Sequence, residues 1–108
     1  ERIPVILDTP SAGRFVSVEP LLSHLPRFDP RGLDWAIVGG EAGPGARECR
    51  SEWVLDVVER CGRASVPAFV KQLGSNVGNG ARYRDRRGAD MSEWPAELRV
   101  RQMPWGTT

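Results

Sequence analysis

A short apolar run, Trp35-Ala36-Ile37-Val38, stops abruptly in Gly39-Gly40 and is followed by an acid, Glu41. Apolar side chains on both sides of the run suit a parallel strand covered on both faces. Gly39 and Gly40 remove side chains where the backbone must turn or come close to a neighbour. Glu41 is then left at the carboxyl end of the strand, where α/β folds place their ligands. Taken alone, Gly39-Gly40-Glu41-Ala42-Gly43-Pro44-Gly45 also suits a tight loop leading to the next helix. Related arrangements at two further strand ends favour a site.

Upstream, residues 2–8 read as the tail of a helix, with Pro4 in its first turn, broken by Thr9-Pro10-Ser11-Ala12-Gly13. Residues 14–19, Arg-Phe-Val-Ser-Val-Glu, alternate as a strand does and end at Glu19-Pro20, where Pro20 cannot donate to a ladder. Residues 21–33 form a connection with room for a helical turn at 21–25. His24 lies in that connection with no cysteine or histidine at ligand spacing, and reads as a solvated loop residue.

Ser51 is a suitable N-cap and Glu52 suits the positive end of a helix dipole. Trp53, Val54, Val57, Val58 and Cys61 then share one face at helical spacing, and Gly62 marks the stop. Residues 67–72 read as a third strand, with Lys71 and Gln72 near its carboxyl end. Strand 34–38, helix 51–61 and strand 67–72 make a βαβ unit, which sets the two strands parallel with a right-handed crossover. A parallel pairing of 14–19 with 34–38 follows from the length of their connection. Glu19, Glu41, Lys71 and Gln72 then emerge along one edge of one sheet.

The remainder, 75–108, reads as a basic loop and an irregular tail. Arg82-Tyr83-Arg84-Asp85-Arg86-Arg87 suits a solvated loop, because the run is short and Asp85 interrupts it. The alternative is a phosphate or nucleic-acid contact with Tyr83 as a stacking residue. A short helix begins at Ser92, and Trp94 and Leu98 pack as core. Residues 99–104 are extended.

The 108 residues allow one domain or part of one, and 15 basic against 14 acidic residues imply neither nucleic acid nor an anionic membrane. No apolar run approaches the about 20 residues that span a bilayer. Cys49 and Cys61 make no disulfide framework, no metal site is expected, and a reducing cytoplasm is the expected location. The start at Glu1, without Met and without a signal peptide, suggests a piece of a longer protein.

Four segments resemble, in order, the phage-type "gp thirty-seven/gp sixty-eight" family, a domain of unknown function found in phages, prophages and bacteria. They are Arg14–Leu22, Leu33–Arg47, Val66–Gly74 and Glu93–Arg101. Full-length members look like radical S-adenosylmethionine proteins, with an amino-terminal C-x6-C-x2-C motif suited to a [4Fe–4S] cluster. This chain resembles their carboxyl-terminal part and lacks that motif. The resemblance implies a partial TIM-like (β/α) barrel, a single partial domain with βα units at 1–74. Its partner would be the missing amino-terminal half. Glu19, Glu41 and Lys71 become candidate catalytic residues, and Gly39, Gly40 and Gln72 candidate substrate- or cofactor-binding ones. A Gly-Gly-Glu at a strand end holds the cofactor amino group in such enzymes, and Gly39-Gly40-Glu41 is similar. S-adenosylmethionine and the cluster are expected in the full-length parent and not in this chain.

Two readings stand. One is the substrate-side part of a radical enzyme, inactive alone, acting on a small-molecule or nucleic-acid substrate. The other is a non-catalytic binding module, a prophage remnant that associates through its arginine loop or an unpaired strand edge. At the rim, a Glu19–Lys71 ion pair that merely ties strand ends together is the structural alternative.

Overall fold

The computed structural model describes residues 5–9, 13–78 and 83–104, with backbone alone at 5–9 and 13. Four strands, β1 (Val5–Thr9), β2 (Gly13–Val18), β3 (Trp35–Val38) and β4 (Ala68–Val70), lie side by side in that order. One helix, α1 (Ser51–Arg63), joins β3 to β4. Pairing of β2 with β3 and of β3 with β4 is parallel, with Val16 opposite Ala36 and Val38 opposite both Val18 and Val70. The expected α/β architecture with three parallel strands is present as an open sheet.

The amino-terminal expectation is overturned. Residues 5–9 form a strand antiparallel to β2, with Val5 opposite Ser17 and Thr9 opposite Gly13. Val5, Ile6 and Thr9 are β-branched, which disfavours a helix and suits a pleated surface. Residues 10–12, within the expected break, lie outside the described residues, as do 1–4.

Alternation along each strand decides which face is buried. Val16, Val18, Ala36, Val38, Ala68 and Val70 form the core with Val54, Val57 and Cys61 of α1. At about 25 cal/mol per Å² this shared apolar face is the main stabilising term. Trp35, Ile37 and Phe69 alternate with these residues and are half-buried, so β3 is less completely covered than its apolar run suggested. Trp35 stacks obliquely on Phe15, with centroids 6.1 Å apart, and meets Phe69 edge-on at 6.0 Å.

Both ends of α1 differ from the sequence expectation. Arg50 occupies the cap position without a side-chain capping bond, and Ser51 is the first helical residue. Gly62 lies inside the helix. Termination comes at Ala64, whose N–H reaches the Arg60 and Cys61 carbonyls, and at Ser65, which takes φ 58°. Gly62 is open to solvent there, and the left-handed exit is made three residues later.

The connection 21–33 contains no helical turn and instead tucks Leu21, Leu25 and Phe28 under the core. His24 is half-exposed, with Nε2 3.3 Å from an Asp56 carboxylate oxygen. Instead of one helix from Ser92, two 3-10 turns form, Met91–Glu93 and Ala96–Leu98. Pro95 separates them, since it restricts Trp94 and has no N–H to continue a helix. Trp94 and Leu98 are core residues, as expected.

The extended tail runs along the outer edge of β4. Val70 N–H donates to the Val100 carbonyl at 2.8 Å, Gln102 N–H donates to Ala68 at 2.8 Å, and Arg101 bridges Phe69 in antiparallel sense. The Arg101 guanidinium donates to the carbonyls of Val70 and Lys71 at 3.0 and 2.8 Å and lies 5.2 Å from the Phe69 ring centroid. The β4 edge is therefore not left unpaired. The tail supplies the missing partners.

Candidate functional site

The carboxyl ends of β2, β3 and β4 are joined by backbone contacts that continue past the strands. Gly39 N–H donates to Val18 at 3.1 Å, Lys71 N–H to Val38 at 2.8 Å, and Gly40 N–H to Gln72 at 3.0 Å. Leu21 N–H in turn reaches the Gly39 carbonyl at 2.8 Å. These bonds bring Glu19, Glu41, Lys71 and Gln72 to one rim, around a hollow of about 440 Å³ that Arg87 also lines. The rim the sequence implied is thus assembled.

Within it, Gln72 is the hub. Its side-chain Nε2 donates to a Glu19 carboxylate oxygen at 2.8 Å and to the Gly40 carbonyl at 2.6 Å. Lys71 Nζ stands 3.5 Å from Glu19, an ion pair with more than half of the lysine side chain in water. Such exposed pairs contribute little stability, about 0–1 kcal/mol. Gly40 is required by packing, because a Cβ there would overlap the Leu73 carbonyl. Gly39 faces the Gln72 amide, with Nε2 3.1 Å from where its Cβ would be.

Glu41 has a partner that the residue pattern did not single out. Arg47 approaches it with the backbone N–H at 2.9 Å, Nε at 3.1 Å and a terminal nitrogen at 2.8 Å. The carboxylate raises the affinity of the Arg47 guanidinium for its proton. A six-residue separation gives no helix or strand signal. The loop doubles back because Gly43 and Gly45 both take positive φ, and Gly43 N–H is held by the Ser75 hydroxyl at 2.8 Å. Arg87 was likewise visible only as one of a basic run.

Cys49 packs directly against the rim, its Cβ 3.0 Å from where a Cβ on Gly40 would stand, whereas Cys61 lies in α1. Cys49 and Cys61 are buried and free, and burial pushes their thiols up to about 12 and about 11. Among the described residues no group of three or more His, Cys, Asp or Glu is placed to hold a metal ion. Among the described residues no helix is long and apolar enough to cross a membrane.

No curated protein and no solved structure matches the chain. A family model described as a protein of unknown function, DUF5131, matches residues 1–99. With nearly all of its length inside that match, the chain belongs to the DUF5131 family.

Proposed function

We propose that this chain is the carboxyl-terminal, substrate-side part of a radical S-adenosylmethionine-like enzyme of phage or prophage type. The observation that carries the reading is the single rim where three parallel strands deliver Glu19, Gly39-Gly40-Glu41 and Lys71-Gln72. In this reading an amino-terminal half completes a TIM-like barrel by displacing β1 from β2 or the tail from β4, and the enzyme works in the cytoplasm. Two cysteines are too few for three thiolate ligands, so in this reading those come from the other half and this chain is inactive alone.

The chain's own groups then have distinct roles. Glu41, held by Arg47, accepts hydrogen bonds from a cationic or amine group of the substrate or of S-adenosylmethionine. Glu19, oriented by Gln72, serves proton transfer, and Lys71 neutralises an anionic substrate group. Gly39 and Gly40 let the ligand approach the backbone.

The test is a longer gene product containing this chain, purified without oxygen. A reducible cluster, seen by absorbance and spin resonance, together with S-adenosylmethionine cleavage supports the reading. Glu41→Gln in that protein should remain folded and lose ligand affinity. Absence of a cluster, or wild-type affinity in the mutant, overturns it.

A further inference from the structure

A second hollow, of about 720 Å³, adjoins the rim and shares Gly43 with it. One wall is the glycine loop with Ser75 and Asn76, and the other is Tyr83, Arg84, Asp85 and Arg86. Its volume is in the range of small-ligand sites, about 300–1,000 Å³.

The basic wall is a built loop, and its acids are already committed. Glu93, 11% exposed, accepts the backbone N–H groups of Arg84 at 2.8 Å and Asp85 at 3.0 Å. Asp85 accepts those of Arg87 at 3.1 Å and Ala89 at 3.0 Å. The Gly88 carbonyl is fixed by the buried Trp94 indole N–H at 2.9 Å. Arg84 projects outward, its side chain 94% exposed and its Nε 3.7 Å from Glu93, a separation that water screens. Arg86 and Arg87 are exposed as well, Arg86 on this hollow and Arg87 on the rim. The acids thus hold the backbone, and Arg84 and Arg86 line the hollow as exposed residues. A loop fixed beforehand loses little entropy on binding.

Tyr83 adds a half-buried aromatic ring to the same wall. Burial and the nearby Glu93 carboxylate push its hydroxyl above the usual phenol range, so it remains a neutral donor. Guanidinium groups matched to phosphate oxygens, beside a flat ring on which a base can stack, form a nucleotide-binding chemistry. We propose that this hollow binds a nucleotide, with phosphate on Arg84 and Arg86 and the base against Tyr83. A ligand lying across Gly43 would reach Arg87 and the Glu19–Glu41 rim. The ligand source is a free nucleotide or one residue of a single strand, which share this chemistry.

Binding to the full-length gene product that carries this chain decides it, read by fluorescence anisotropy of a labelled single-stranded oligothymidylate and by calorimetry with adenosine monophosphate. Arg84→Gln/Arg86→Gln should weaken whichever probe binds by about tenfold or more and flatten the salt dependence, by about 0.7 in log–log slope per lost contact on a single strand. Tyr83→Leu should weaken binding about fivefold or more, and Tyr83→Phe should restore it. Unchanged circular dichroism and urea midpoints verify that these variants are folded. Mononucleotide binding identifies a free nucleotide as the source, and oligonucleotide binding alone identifies a strand. No binding of either probe, or wild-type affinity in the double variant, overturns the proposal. The assay needs neither S-adenosylmethionine nor reductant, so its outcome is separate from that of the radical-chemistry test.

Discussion

Gly40 lies so close to Leu73 that a Cβ on Gly40 would overlap the Leu73 carbonyl oxygen. The backbones leaving β3 and β4 are therefore in direct contact, and the Gly-Gly-Glu segment has a packing requirement independent of any ligand. Gly74, at φ 95°, extends the same contact towards the Glu41 carbonyl. Rim geometry and fold stability are consequently tied to the same residues.

Gly40→Ala should cost about 1–3 kcal/mol, because the obstruction is backbone and cannot rotate away. Gly39→Ala should cost less, since the nearest atom, 3.1 Å away, belongs to the Gln72 side chain. Urea denaturation of both variants checks this. A Gly40→Ala midpoint equal to wild type would mean the contact is not made.

Gln72→Glu replaces a donor to Glu19 and Gly40 with an acceptor. The two carboxylates then repel, and the new acid has a folded pKa raised above its unfolded value. Its stability deficit, about 1–3 kcal/mol at neutral pH, should shrink as pH falls and the group takes up a proton. Urea midpoints at neutral and mildly acidic pH, each relative to wild type, measure it. An equal deficit at both would show that the charge plays no part.

Glu93→Ala removes the acceptor of two backbone N–H groups in the arginine loop. Local stability should fall by roughly 1–3 kcal/mol, and trypsin should cut faster at Arg84, Arg86 or Arg87. Mass mapping of the first cleavage reads this directly. An unchanged site and rate would contradict a loop held by Glu93.

Cys49 and Cys61, with thiols near 12 and 11, should resist a disulfide reagent in the native state at mildly alkaline pH and both react after unfolding. Their folded pKa values are raised, so the native state holds protons that the unfolded state releases. This contribution is complete below the unfolded thiol pKa of about 8.5 and is lost as pH rises towards the folded values. Thiol titration and alkaline stability curves test both halves. Rapid native reaction would place the thiols at the surface.

Val57→Asp places a carboxylate in the α1–sheet core, where Val57 is 1% exposed. With no partner for the charge, the loss should reach about 4 kcal/mol or more and unfold the chain. Circular dichroism decides it, and a cooperatively folded variant would mean that this helix face is misassigned.

The parallel unit was legible in the sequence because its periodicities are local. The alternation of residues 14–18, the apolar run at 35–38 and the face Trp53–Cys61 each repeat at the spacing of their element. The βαβ connection then allowed one arrangement, and with it came the shared edge of Glu19, Glu41, Lys71 and Gln72. The helix tail expected over residues 2–8 gives way to a strand at 5–9 because pairing with β2 determines the outcome. That pairing depends on a partner strand, which the propensity of residues 5–9 by itself does not contain.

What tertiary structure alone decided is which groups touch. Arg47 on Glu41, Gln72 between Glu19 and Gly40, and the tail on the β4 edge all join residues whose spacing follows no helical or strand period. Each forms because backbone N–H and C=O groups, or charges, left at a loop or edge must find partners. Sequence thus determined β2, β3, α1 and β4 and which of their ends carry acids and amides. Folding determined which of those groups are bound to one another and which, such as Arg86, are left exposed.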